Sequence, residues 1–177
     1  MTTDKIALLI INIVGGAAVL LSYVFGLKAQ PGGASGLWGS IPVGIRPAYT
    51  VSMLISALGY FLFLYYLLFR VNPDGSLTAN HFGFVLFNVI LLVILVPSAL
   101  WMPLTNVYIA HPSHGLWLLV RLVLALVAIG AITLVWAIYV SRGPSHGLAF
   151  WLAIIGSAYF AFHVAVLDAL LWPALFR

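Results

Sequence analysis

The chain is a series of long apolar runs separated by short polar connections, and the lengths of the runs decide the elements. Five runs, at about residues 6–27, 47–69, 82–102, 115–140 and 148–172, each reach the ~20 residues that a helix needs to cross a bilayer. None has the strict polar/apolar alternation of a barrel strand, so each must satisfy its backbone as a helix within lipid. The expected fold is therefore all-α, one integral membrane five-helix transmembrane bundle. Residues 1–177 form a single transmembrane domain, since no connection is long enough to fold by itself. The first run follows MTTDK, exceeds the length of a signal-peptide core and lacks a clear small-residue cleavage site, so it reads as the first span.

Composition sharpens this picture. Hydrophobic residues make up 64% of the chain and charged residues 6%, whereas about a quarter of a soluble domain is charged. An integral, multi-pass membrane protein in contact with lipid is the consistent reading. The net charge of +4 comes from 7 Lys and Arg, placed singly, against 3 Asp and no Glu. Such scatter gives no nucleic-acid footprint, which needs clustered basic side chains. Without cysteine, disulfides and thiolate metal sites are excluded. Lys5, Arg70 and Arg142 on one side balance Lys28, Arg46 and Arg177 on the other, so the positive-inside rule assigns neither an orientation nor a membrane.

The connections carry several signals. The first, LKAQPGGASGLWGSIPVGIRP, is rich in Gly and Pro yet holds Trp38 among apolar neighbours. Trp38 is either an interfacial anchor at the headgroups or part of a loop folded back as a lid, and in both cases the loop is expected to be ordered over the helix ends. The second, VNPDGSLTANH, is a polar turn. The link VYIAHPSHG offers His111 and His114, too few ligands for zinc, and His81 and His146 are expected at helix ends on the opposite side. Gly15 to Ala18, and the stripe Ser52, Ser56, Gly59, invite close helix packing. Pro97 and Pro103 bracket Trp101 near the end of the third span, each removing a backbone donor and bending the helix.

Chemistry concentrates in the last span, LAFWLAIIGSAYFAFHVAVLDALLWP, which holds the one carboxylate inside any apolar run, Asp168, and the one histidine deep within such a run, His163. A charge at bilayer depth costs about 2.5 to 3.5 kcal/mol and is normally paired or lines a cavity. Arg121 is the one basic residue well inside a span, and helical rise sets it ~9 Å from the start of its helix, level with Asp168, ~8 Å from the end of its own. The two are expected to face one another, either as a structural pair or as the floor of a polar pocket. His163, five residues from Asp168, falls about 140° away around an α-helix, which rules it out as that carboxylate's intrahelical partner. With no second histidine at its depth, a haem-ligating pair is not expected.

Five helices, a long first loop and tryptophan-rich helix ends make the chain resemble the TspO/translocator protein family of tryptophan-rich sensory proteins. The family's Asn-x-x-Trp-x-Pro pattern on the third helix is matched in spacing by Ser98, Trp101 and Pro103, with serine in place of asparagine. Its fifth-helix order of Tyr, a nearby Trp, then Leu-Asn is matched by Tyr159, Phe162, Leu167 and Asp168. Of its first-loop lysine-proline-tryptophan-proline-proline signature only Trp38 and Pro42 remain. The resemblance implies a pocket for tetrapyrroles or sterol-like lipids beneath the first loop, often in a homodimer, and does not imply an enzyme.

The leading expectation is thus a binding or transport protein with an aromatic-lined intramembrane pocket for a small amphipathic ligand. It requires no cofactor, though a porphyrin or lipid could be bound. The ligand-binding residues are Trp38, Trp101, Trp117, Arg121, Tyr159, His163 and Asp168, and Arg121 is expected to hold an acidic group. The alternative is a small structural subunit of a larger membrane complex. A proton-coupled carrier using Asp168 and His163 is disfavoured because the two should point to different faces and no internal repeat is visible. No nucleophile-base pairing or metal set supports catalysis.

Overall fold

The computed structural model describes residues 2–30, 33–72, 83–141 and 147–176; His81, His146, Arg142 and Arg177 lie outside them. Five helices are long and apolar enough to cross a membrane: α1 (Thr3–Ala29), α2 (Arg46–Phe69), α3 (Val85–Ala110), α4 (His114–Val140) and α5 (Leu148–Leu175). The fold is all-α, and its architecture is that of a multi-pass membrane protein.

Local chemistry sets the helix ends. Pro47 opens α2, where its missing amide would have no intrahelical partner. Ser113 caps α4 by accepting the Leu116 amide at 3.3 Å. The third helix departs from the expected boundary, running through Pro97 and Pro103 to Ala110. The segment expected as a link from Val107 is therefore helical, and only His111 to Ser113 separate α3 from α4. A span can tolerate proline because neighbouring groups re-satisfy the freed carbonyls.

Around the bundle α1 packs on α3, α3 on α4, α4 on α5, and α5 on α2, while α1 and α2 barely touch. The α2–α5 seam is the closest. A Cβ on Gly156 would lie 2.8 Å from the Gly59 carbonyl oxygen, and one on Gly59 would collide with the Gly156 backbone, so the two helices meet main chain to main chain. One half of the bundle is filled by Phe63, Leu67, Phe84, Phe87, Leu91, Leu134, Ile138 and Phe150. The other half is looser and is closed by the first loop.

That loop is a lid. Two short 3-10 turns, Gly33–Trp38 and Val43–Ile45, carry it across the bundle end. The Trp172 indole N–H donates to the Leu37 carbonyl at 2.9 Å, and the Ser40 amide donates to that of Leu175 at 3.1 Å. Gly39 has φ +50, a region L side chains rarely enter, and a Cβ there would also sit 2.5 Å from the Phe176 oxygen. Ile41 is driven into a cluster with Trp117, Val120, Leu124 and Trp172. Arg46 fixes the far hinge by donating from Nε to the Ile41 carbonyl at 3.0 Å, with its guanidinium 5.7 Å from the Trp38 ring. The folded-back arrangement expected as one role for the Trp38 loop is observed.

Candidate intramembrane ligand site

Beneath the lid, at the middle of the bundle, is a cavity of about 770 Å³ to which all five helices contribute. Gly16 and Ala17 from α1, Ser56 and Tyr60 from α2, Leu95, Ser98 and Trp101 from α3, Leu124 and Val127 from α4, and Phe160, His163, Val164 and Asp168 from α5 form its wall. A Cβ at Gly16 would meet nothing within 4 Å, so this glycine contributes space to the cavity. Ile13 and Leu20 of α1 and Met53 and Phe61 of α2 line the cavity while being exposed at the outer surface. The cavity thus opens sideways, through the seam where α1 and α2 barely touch.

Its polar end is built on an irregular stretch of α5. After an α-helical part, Leu148–Phe162, the backbone turns π-helical over His163–Leu171 and regains an α-turn at Trp172–Leu175. The Trp172 amide, for example, donates to Leu167, five residues back. Bonding from i to i+5 returns residue i+5 to nearly the face of residue i, and His163 and Asp168 are five apart. Their side chains meet, Nε2 to Oδ2 at 3.7 Å. The expectation that they face different ways assumed α-helical rotation and is corrected by the π turn.

The two residues anchor a chain of polar groups joining α5 to α2. Tyr49 Oη donates to Asp168 Oδ1 at 2.5 Å. His163 Nδ1 lies 2.9 Å from Ser52 Oγ, which lies 3.0 Å from Tyr159 Oη. One assignment orders the chain: Tyr159 donates to Ser52 and Ser52 donates to His163 Nδ1, which leaves Nε2 on the Asp168 side, 3.7 Å from Oδ2. A second tie crosses near the cavity's other end, where Tyr60 Oη donates to Asn12 Oδ1 at 2.5 Å. Asn12 in turn donates to the Leu8 carbonyl at 2.7 Å. In hydrocarbon such groups need partners, because an unsatisfied one costs several kcal/mol.

Among the residues expected at the site, Trp101, His163 and Asp168 line the cavity. Tyr159 and Trp38 stand one layer behind, the first bonded to Ser52 and the second with its ring edge-on to Tyr49 at 5.6 Å. Trp117 is 5% exposed and belongs to the lid cluster, stacked on Phe176 with centroids 5.8 Å apart. Arg121 is corrected outright. It is exposed on the outer face of α4, where Val120, Leu124 and Val127 point inward instead, and Asp168 has no Lys or Arg partner among the described residues. Helix α4 lies between α3 and α5 and turns its large aliphatic stripe to both. That rotation leaves Arg121 outside, near enough to the helix start for its long side chain to reach the interface.

Tyr49, Ser52, Tyr23 and Asn12 were not anticipated as site residues. A signal existed for two of them: Tyr49 stands three residues before Ser52 and extends the small stripe Ser52, Ser56, Gly59 along one helical face. No group of three or more His, Asp or Glu capable of holding a metal occurs among the described residues. Comparison with known proteins finds no matching family model, no matching curated protein and no matching solved structure.

Proposed function

We propose that this chain is a membrane binding or transport protein, TspO-like in design, that takes a rigid amphipathic ligand of the tetrapyrrole or sterol class into its intramembrane cavity. The observation that carries the reading is the cavity itself: about 770 Å³, mid-bundle, apolar along most of its wall and polar at the Asp168 end. Ligand pockets are typically about 300 to 1,000 Å³, mostly apolar, with a few placed polar groups. The lid closes the bundle end, so the route of entry is lateral, between α1 and α2, from the lipid phase. A ligand already dissolved in the bilayer needs no aqueous path. Of the two classes, the sterol-like one fits better. Arg121 lies outside the cavity, so porphyrin carboxylates would meet Asp168 with no cation among the described lining residues.

The test is a titration of the purified chain in nanodiscs with a porphyrin and with a sterol, read by tryptophan quenching, on the wild type and on Gly16→Phe. Saturable quenching by either ligand, weakened when the phenyl ring fills the cavity, supports the reading. Quenching that is linear with ligand and identical in both proteins would exclude it and favour the role of structural subunit.

A further inference from the structure

The charge of the cavity narrows the ligand further. Among the described residues, Asp168 is the one carboxylate in its wall, and no lysine or arginine accompanies it. The side chain is 29% exposed, on the cavity side. A carboxylate has two oxygens and about four acceptor sites, yet among the described residues Asp168 receives one direct hydrogen bond, from Tyr49 to Oδ1. Oδ2 faces His163 at 3.7 Å, beyond hydrogen-bond length. Arg46 is committed to the lid through Ile41 and Trp38, and Arg121 faces outward. Asp168 is thus held by Tyr49, with acceptor capacity turned to the cavity and no lysine or arginine beside it among the described residues.

The aromatic surroundings point the same way. Tyr23 and Trp101 line the cavity beside this end, their ring centroids 5.6 Å apart, and aromatic faces attract a cation through the ring quadrupole. An acid would be repelled by Asp168, and a neutral hydroxyl could hydrogen-bond but would leave the charge uncompensated. An ammonium group both donates to Oδ2 and neutralises it.

We infer that the preferred ligand is a lipophilic amine, its ammonium seated on Asp168 beside Tyr23 and Trp101 and its apolar body filling the cavity toward α1 and α2. This rests on the pocket reading above, keeps its rigid sterol-like body and replaces the neutral headgroup with an amine. The full chain in zwitterionic nanodiscs is titrated with three probes that share one flat apolar body: 1-pyrenemethylamine, 1-pyrenemethanol and 1-pyrenecarboxylic acid. Energy transfer from tryptophan to pyrene is read against protein-free nanodiscs, so that simple partitioning is subtracted. The expected order of affinity is amine, alcohol, acid, with the amine about tenfold or more tighter than the alcohol. In Asp168→Asn the three probes converge to within about threefold, and in Asp168→Glu the amine preference persists.

The wild-type ranking decides the sign of the charge even where Asp168→Asn does not fold. An alcohol or acid that binds the wild type as tightly as the amine, or an amine preference that survives Asp168→Asn, overturns the assignment. Saturable alcohol binding without amine preference removes the charge inference and leaves the pocket standing. Absence of saturable binding by all three probes overturns both.

Discussion

His163 and Asp168 stand five residues apart on α5, and their side chains meet, Nε2 to Oδ2, at 3.7 Å. In an α-helix that spacing separates them by about 140°; the π-helical stretch His163–Leu171 brings them together. Irregular turns of this kind recur at functional sites. Here the turn aims two ionisable side chains into one cavity and hands both to α2, through Tyr49 and Ser52.

The Tyr49–Asp168 bond should couple helix packing to the site. Tyr49→Phe and Asp168→Asn are each expected to destabilise the fold, and a double-mutant cycle should return a coupling of about 1 kcal/mol or more. The check is resistance to unfolding in mixed SDS micelles. Strictly additive effects of the two substitutions would mean that the contact contributes nothing.

The glycines should divide by what their missing side chains would meet. Gly59→Ala and Gly156→Ala push the α2 and α5 backbones apart and should each cost about 1 to 3 kcal/mol, the usual range for overpacking. Gly16→Ala adds a methyl to open cavity space and should change stability by less than about 0.5 kcal/mol. The same unfolding assay ranks the three variants.

Trp172→Phe removes the donor to the Leu37 carbonyl and leaves a buried acceptor unsatisfied, a loss of about 1 to 3 kcal/mol. Limited proteolysis should therefore cut the wild type slowly between residues 35 and 44 and the variant faster, with the rest of each chain protected. Rapid cutting of the wild type at that loop would contradict its role as a lid.

Arg121→Ala should leave ligand affinity within about twofold of the wild type, because the side chain is exposed on the far side of α4 from the cavity. Titration with 1-pyrenemethylamine checks this. A large loss would return Arg121 to the site.

Much of the fold was legible in the sequence because span length and apolar content are strong, local signals: the five runs match α1 to α5 in order and number. Where α3 ends was not legible, since proline argues for a break and only neighbours can re-satisfy the freed carbonyls of Pro97 and Pro103. The site was legible in part. Trp101, His163 and Asp168 declare themselves by type and depth, and Trp38 by its place in a Gly/Pro loop. Arg121 misled because depth along a helix says nothing of rotation about it. One residue of shift, from Val120 to Arg121, separates the inward stripe from the outer face, and in an apolar helix both readings satisfy a small or aliphatic pattern. The pairing of His163 with Asp168 was hidden for a different reason: a π turn is a backbone choice, enforced by packing, with no marker in LAFWLAIIGSAYFAFHVAVLDALLWP.

Covalent mapping tests lateral binding inside the bundle. A photoactivatable sterol is irradiated with the protein in nanodiscs, and its adducts are located by peptide mass spectrometry with and without excess unlabelled sterol. Adducts are expected on the buried cavity residues Ile94, Leu95, Val127 and Val164, suppressed by the competitor. Adducts confined to outward-facing residues such as Leu122, Ile129 and Ile132, and indifferent to competitor, would contradict it.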